Sequence, residues 1–239
     1  LLNLAINATN GISLSGAITT DGTQTYDGNV TLTGNTTLTG TAITINDTVD
    51  SDVASTPRAL TVTGTGAKTF NAALGSSVVL GALTVDGGGP TILHGGVIKT
   101  DGAQTFTDAA TLSADTLLTS LGGNISFAST LGSDTTPRSL EITAGAGDVT
   151  FTGAVGTQSA KLGAILVNTA DDVTFTAALD AGSLEQKAGT GLTKLDGAAA
   201  LGGYFKFTGG ALTLNAGLTT TGEVIIANAA AFTTAAAGD

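Results

Sequence analysis

The sequence predicts an all-β fold, a parallel β-solenoid of roughly 20-residue coils, and three observations carry that expectation. A long segment that begins at Gly16 is written again from Gly96. Short strand-like runs alternate apolar and hydroxyl residues with period two. The composition favours strands and tight turns over helices throughout.

The repeat is the most specific of the three. Gly16 to Leu32 (GAITTDGTQTYDGNVTL) matches Gly96 to Leu112 (GVIKTDGAQTFTDAATL) at nine of seventeen positions. The register holds at Pro57-Arg58 and Pro137-Arg138, within TPRALTVT and TPRSLEIT, and slips by one or two residues at TFNAALG (69–75) against TFTGAVG (150–156) and at LGALTV (80–85) against LGAILV (162–167). Loops absorb such slips. One solenoid domain is therefore expected over 1–239, a segment of a longer repeat protein, with copies near 12–91 and 92–175 and a decayed copy from LTLNAGLTTTG (212–222) onward.

Within each copy the predicted strands follow in order. VTLTG (30–34), TTLTG (36–40), AITIN (42–46), LTVTG (60–64), ALTVDG (82–87), NISF (124–127), LEITAG (140–145) and DVTFT (172–176) are bounded by Gly, Asn or Asp, which end strands and start turns. Helical spacing of apolar residues is sustained nowhere, and ANAAAFTTAAAGD at the end reads as a frayed or terminal strand.

A strand of this length has two or three inward side chains, each contributing about 1.5 to 3 kcal/mol when buried. Ordering the backbone costs about 1 to 2 kcal/mol per residue. One coil alone would be unfolded, and stacked coils stabilise one another. The Thr-aromatic pairs end at Tyr26, Phe70, Phe106, Phe151 and Phe175. They are expected to stack in one internal column, successive members standing two, two, two and one coils apart. Twelve or so coils at about 4.8 Å each would make a rod of about 55 to 60 Å. Neither Leu1-Leu2 nor the Ala- and Thr-rich close reads as a cap, and LLNLAINATNGISL reads as the middle of a strand region. Further coils are expected on at least one side.

Composition excludes several functions. With 41% hydrophobic residues the chain can build a core, while 11% charged residues leave surface polarity to hydroxyls and amides. A net charge of -11 repels nucleic acid and anionic lipid, so neither is an expected partner. No cysteine is present, which removes disulfides and thiol chemistry, and no apolar run reaches the ~18 residues of a membrane-spanning helix.

The pattern ITTDGTQTY…VTLTGNTTLTG…PRALTVTG…KTFNAALG…LGALTVDGGG resembles the β-strand repeats of large bacterial surface exoproteins of the filamentous haemagglutinin type and of related autotransporter passengers, most clearly over 11–176. The resemblance implies a right-handed parallel β-helix, located extracellularly on the bacterial cell surface, passed through an outer-membrane transporter during export, and acting as an adhesin or matrix component. A host or neighbouring cell surface, matrix, and a second copy of the chain joined end to end are the partners it implies. The chain carries no recognisable secretion domain or membrane barrel of that family, and no Arg-Gly-Asp triplet.

Chemistry is sparse. His94 is the only histidine, so a multi-histidine metal site is unavailable, and it reads as a turn or surface residue. No Gly-x-Ser-x-Gly elbow is present. Asp47, Asp50 and Asp52 are weak calcium candidates, since hard cations take several oxygens, but the spacing matches no calcium loop and a solvated acidic loop is the simpler reading. Arg58 and Arg138, each after a proline, are expected to pair with local carboxylates. DGGGP (86–90) reads as a turn.

The expected function is that of a non-catalytic structural or adhesive rod without a cofactor. One alternative is a carbohydrate-active β-helix enzyme using the Asp171-Asp172 pair, poorly equipped by two Tyr and no Trp. The other is an ice-binding solenoid built on Thr31/Thr33, Thr37/Thr39 and Thr61/Thr63. It ranks second to the rod among non-enzymatic readings because such pairs do not recur coil after coil along the sequence and TINDTVDSDVASTPR would interrupt a flat face.

Overall fold

The computed structural model describes residues 2–157 and 159–234. Leu1 and the close of the Ala-rich ending, 235–239, lie outside the described residues. Every regular element among them is a strand, and the strands stack parallel in three sheets of seven, nine and twelve. The chain is a β-solenoid. Its short strands carry the pattern buried, half-exposed, buried, as in Ile43–Ile45, Lys68–Phe70 and Val149–Phe151, because alternate side chains point to opposite sides of a strand. The inward ones from all three sheets form one continuous apolar core.

Each turn of the chain visits three faces in the same order. Face 1 begins with Leu4–Asn7, Gln24–Asp27, Ile43–Ile45 and Lys68–Phe70. Face 2 includes Val49–Ser51, Val97–Thr100, Thr116–Ser120 and Leu140–Thr143. Face 3 includes Leu60–Gly64, Leu83–Asp86, Gln104–Phe106 and Ile125–Phe127. Longer strands bend from one face to the next: Val30–Gly40 pairs at 30–32 with Val49–Ser51 and at 36–40 with Leu60–Gly64.

Face 3 runs unbroken through eleven strands. Ile18, Leu38, Val62, Val85, Phe106, Phe127, Phe151, Phe175, Leu195 and Leu214 lie above one another in register. At about 4.8 Å per rung this is a rod of about 50 Å. Rungs are unequal in length: the sequence separation across one rung is 19 from Asp196 to Asn215 and 25 from Asn46 to Asn71.

That inequality corrects the single aromatic column. Phe106, Phe151 and Phe175 do share a column on face 3, joined by Phe127, with ring centroids 4.7, 5.4 and 4.7 Å apart. Tyr26 and Phe70 stand instead on face 1, two rungs apart with Ile45 between them. The stretch from Phe70 to Phe106 is too short for two rungs and ends one face early, on face 3.

The same arithmetic governs the whole repeat. Tyr26 is on face 1 and its counterpart Phe106 on face 3; Leu60–Gly64 is on face 3 and its counterpart Leu140–Thr143 on face 2. One repeat unit thus makes three rungs and two faces, so the second copy is turned by one face relative to the first. Local chemistry is retained through that turn. Gly75 and Gly156 end equivalent segments at φ of 69° and 71°. A Cβ at either would stand 2.1 Å from the Lys99 carbonyl oxygen or 1.9 Å from that of Asp180 on the adjoining rung, so only glycine fits.

Candidate functional site

The acidic residues singled out from the sequence all serve the backbone, a hydroxyl or a guanidinium. Asp47 accepts a hydrogen bond from the Gly28 N–H at 2.7 Å, and Asp50 accepts from the Ser77 and Val78 N–H groups at 2.8 and 3.0 Å. Asp52 takes the Arg58 guanidinium at 2.8 Å. The three calcium candidates are therefore not brought together around one point. Among the described residues no group of three or more His, Cys, Asp or Glu side chains is placed to hold a metal ion.

Asp171 and Asp172 lie at a corner before face 3. Asp171 accepts from the Thr190 hydroxyl and Asp172 from the Leu192 N–H, both at 2.6 Å. Asp172 extends a ladder in which each side chain accepts the N–H of the next rung: Asn124 from Asp148 at 2.9 Å, Asp148 from Asp172 at 3.2 Å. These side chains accept backbone N–H groups that a turn would otherwise leave to water. His94 follows the face 1 strand Thr91–Leu93, its N–H bonded to the Phe70 carbonyl at 2.9 Å.

The two arginines pair with local carboxylates as the sequence suggested. Arg58 meets Asp52, and Arg138 meets Asp134 with contacts at 2.8 and 3.0 Å. The Arg58 N–H also donates to Ser51 Oγ and the Arg138 N–H to Ser133 Oγ, at 2.8 and 2.9 Å. The loops SDVASTPR and SDTTPR thus close alike despite differing in length by two residues. In each, the arginine hydrogen bond holds the aspartate below the usual carboxylate range.

Lys68 is fully buried, a placement its residue type alone does not announce. Its ammonium donates to the carbonyls of Gly64, at 3.1 Å, and Gly89, and to Asp108 Oδ2 at 2.8 Å. Burial pushes the Asp108 carboxyl up, but the hydrogen bonds from Lys68 and the Gly88 N–H, with the Lys68 charge, outweigh it and leave the group below its ordinary range. The signal was in the repeat: KTF at 68–70 stands where QTY (24–26) and QTF (104–106) stand. Gln24 and Gln104 do the corresponding work, each donating to a threonine hydroxyl and to strand-end carbonyls on two adjoining rungs.

The most regular surface is the outer side of face 3. Beside the inward column run two outward ones, and five rungs present threonine in both: Thr37/Thr39, Thr61/Thr63, Thr105/Thr107, Thr150/Thr152 and Thr174/Thr176. Between them come Thr84/Asp86 and Ser126/Ala128, in the same register. Threonine pairs thus recur on five of seven successive rungs in one register, though not on every rung, in keeping with the reading from sequence. Unequal rung lengths hide the recurrence. TINDTVDSDVASTPR does not interrupt the plane, because its strands, Ile43–Ile45 and Val49–Ser51, belong to faces 1 and 2. None of the ten threonine hydroxyls is hydrogen-bonded within the protein among the described residues.

The surface also carries open recesses. One of about 560 Å³ lies among Ala8, Asn10, Gly28 and Asp47, and one of about 300 Å³ among Gly96, Asp115, Ser139 and Glu141. Comparison with family models, with curated proteins and with solved structures finds no match.

Proposed function

We propose that this chain is a non-catalytic structural and adhesive rod, part of a fibre at a bacterial cell surface or in the extracellular space. The observation that carries the reading is the unbroken parallel ladder of face 3 through eleven strands over one continuous apolar core. Such an arrangement spans distance, and it keeps backbone amides paired and closed to proteases. Parallel strands stacked in this way can be extended by a further rung, and in this proposal a second copy of the chain joins end to end.

Electron microscopy of the purified protein over a concentration series tests the assembly. Rods that lengthen with concentration, at constant width, are expected. Short rods of one fixed length at every concentration would remove self-assembly from the proposal, and binding assays on cells and matrix would then carry the adhesive part alone.

A further inference from the structure

We infer that face 3 binds a second ligand class, the surface of crystalline water, through its two outward columns. Two residues along a strand advance about 6.7 Å and one rung advances about 4.8 Å. The threonine pairs therefore form a two-dimensional net whose spacings are of the order of the oxygen repeats in the prism faces of ice. Each threonine has few χ1 choices, so the net is set before any ligand arrives, and little freedom is lost on binding.

A rigid lattice requires a partner surface that twists little, and the interior column reports on twist for the rungs from Thr105/Thr107 to Thr174/Thr176. Phe106, Phe127, Phe151 and Phe175 point inward between the two columns. Their rings lie within 8°, 7° and 14° of parallel to one another, so successive rungs superpose with little twist.

Chemistry then selects the ligand. The hydroxyls of the pairs have no protein partner among the described residues, so they can bond to ordered water while the adjacent methyl groups exclude mobile water. From Thr37 to Thr176 the two columns hold one charge, Asp86, and the Lys194–Asp196 ion pair on the next rung bounds the net. Face 2, by contrast, turns out Lys99, Glu141, Glu185 and Lys206, which impose their own hydration. The columns hold no aromatic ring, the group on which sugar rings stack, and this favours ice over a crystalline polysaccharide. The inference uses the register of face 3 alone and stands whether or not rods join end to end.

Ice-affinity partitioning tests it. The protein is held in solution while polycrystalline ice grows slowly, and its content in the ice is compared with that of a non-binding protein of similar size. Several-fold enrichment is expected for the natural sequence. Thr105→Tyr with Thr150→Tyr should bring enrichment down to the non-binder, and Thr111→Tyr, outward on face 1, should leave it unchanged. Circular dichroism and thermal melting report folding. Should the tyrosines disturb it, Thr61→Lys with Thr174→Lys places charge on the same plane and is expected to abolish enrichment equally. Exclusion of the natural protein from ice would overturn the inference, as would enrichment indifferent to the face 3 substitutions. Adsorption to microcrystalline cellulose or chitin, lost in those same variants while ice is avoided, would also overturn it.

Discussion

At the scale of single residues, the corners of the solenoid are held by buried polar side chains that take up turn carbonyls. Tyr26 donates its hydroxyl to Gln24 Oε1 at 2.8 Å, and burial pushes the Tyr26 phenol up to about 12. In the second copy phenylalanine stands at 106, and Gln104 Oε1 is left without a partner. Lys68 answers the same demand with a charge, which makes Asp108 indispensable. Asp108→Ala would strand that ammonium and is expected to destabilise by about 3–5 kcal/mol, measured by denaturant unfolding. The double change Lys68→Gln with Asp108→Asn follows the solution used at 24 and 104 and should recover most of the loss. The buried lysine was legible only as a departure from a repeated tripeptide. Nothing in a lone KTF says that its first residue faces inward.

At the scale of elements, strands were the most legible feature, because period-two alternation reports directly which side chains are buried. VTLTG, AITIN, LTVTG and DVTFT all sit within strands or at their edges. The two Arg-closed loops were legible as a pair for a different reason: serine, aspartate, proline and arginine recur in order. Their acid response has a definite sign. Asp52 and Asp134 have lowered folded-state pKa values, so the stabilisation from each pair is present above the unfolded carboxylate pKa of about 3.9 and is lost as pH falls through the lower folded value. Hydrogen exchange across 51–58 and 133–138 should accelerate in that acid range ahead of the neighbouring strands. Equal protection of loops and strands there would show that the ion pairs do not hold the loops. What alternation could not reveal was register. The short rung from Asp196 to Asn215 and the long one from Asn46 to Asn71 look alike in sequence, so the face 3 threonines and the split between the aromatic columns emerge only once the rungs are laid on one another.

For the whole molecule, stability is a sum over neighbouring rungs, and the phenylalanine column couples four of them. Phe151 has a ring on each side, at 5.4 and 4.7 Å. Phe151→Ala should cost about 3–5 kcal/mol, and hydrogen exchange should show protection falling first in Ile125–Phe127 and Val173–Phe175 while Val30–Gly40 is retained. Uniform loss along the rod would instead indicate all-or-none unfolding. The repeat unit, three turns and two-thirds in length, has a separate historical meaning. Lengthening by whole units deals any inherited surface feature to each flank in succession, so duplication alone decorates the shaft on all sides and brings a feature back above itself only after three units. In the stripe over the phenylalanines, Thr105 and Thr150 came with the repeat from positions matching Thr25 and Thr69 on face 1, whereas Thr107 and Thr152 stand where the first copy has Asp27 and Asn71 and complete the pairs by substitution.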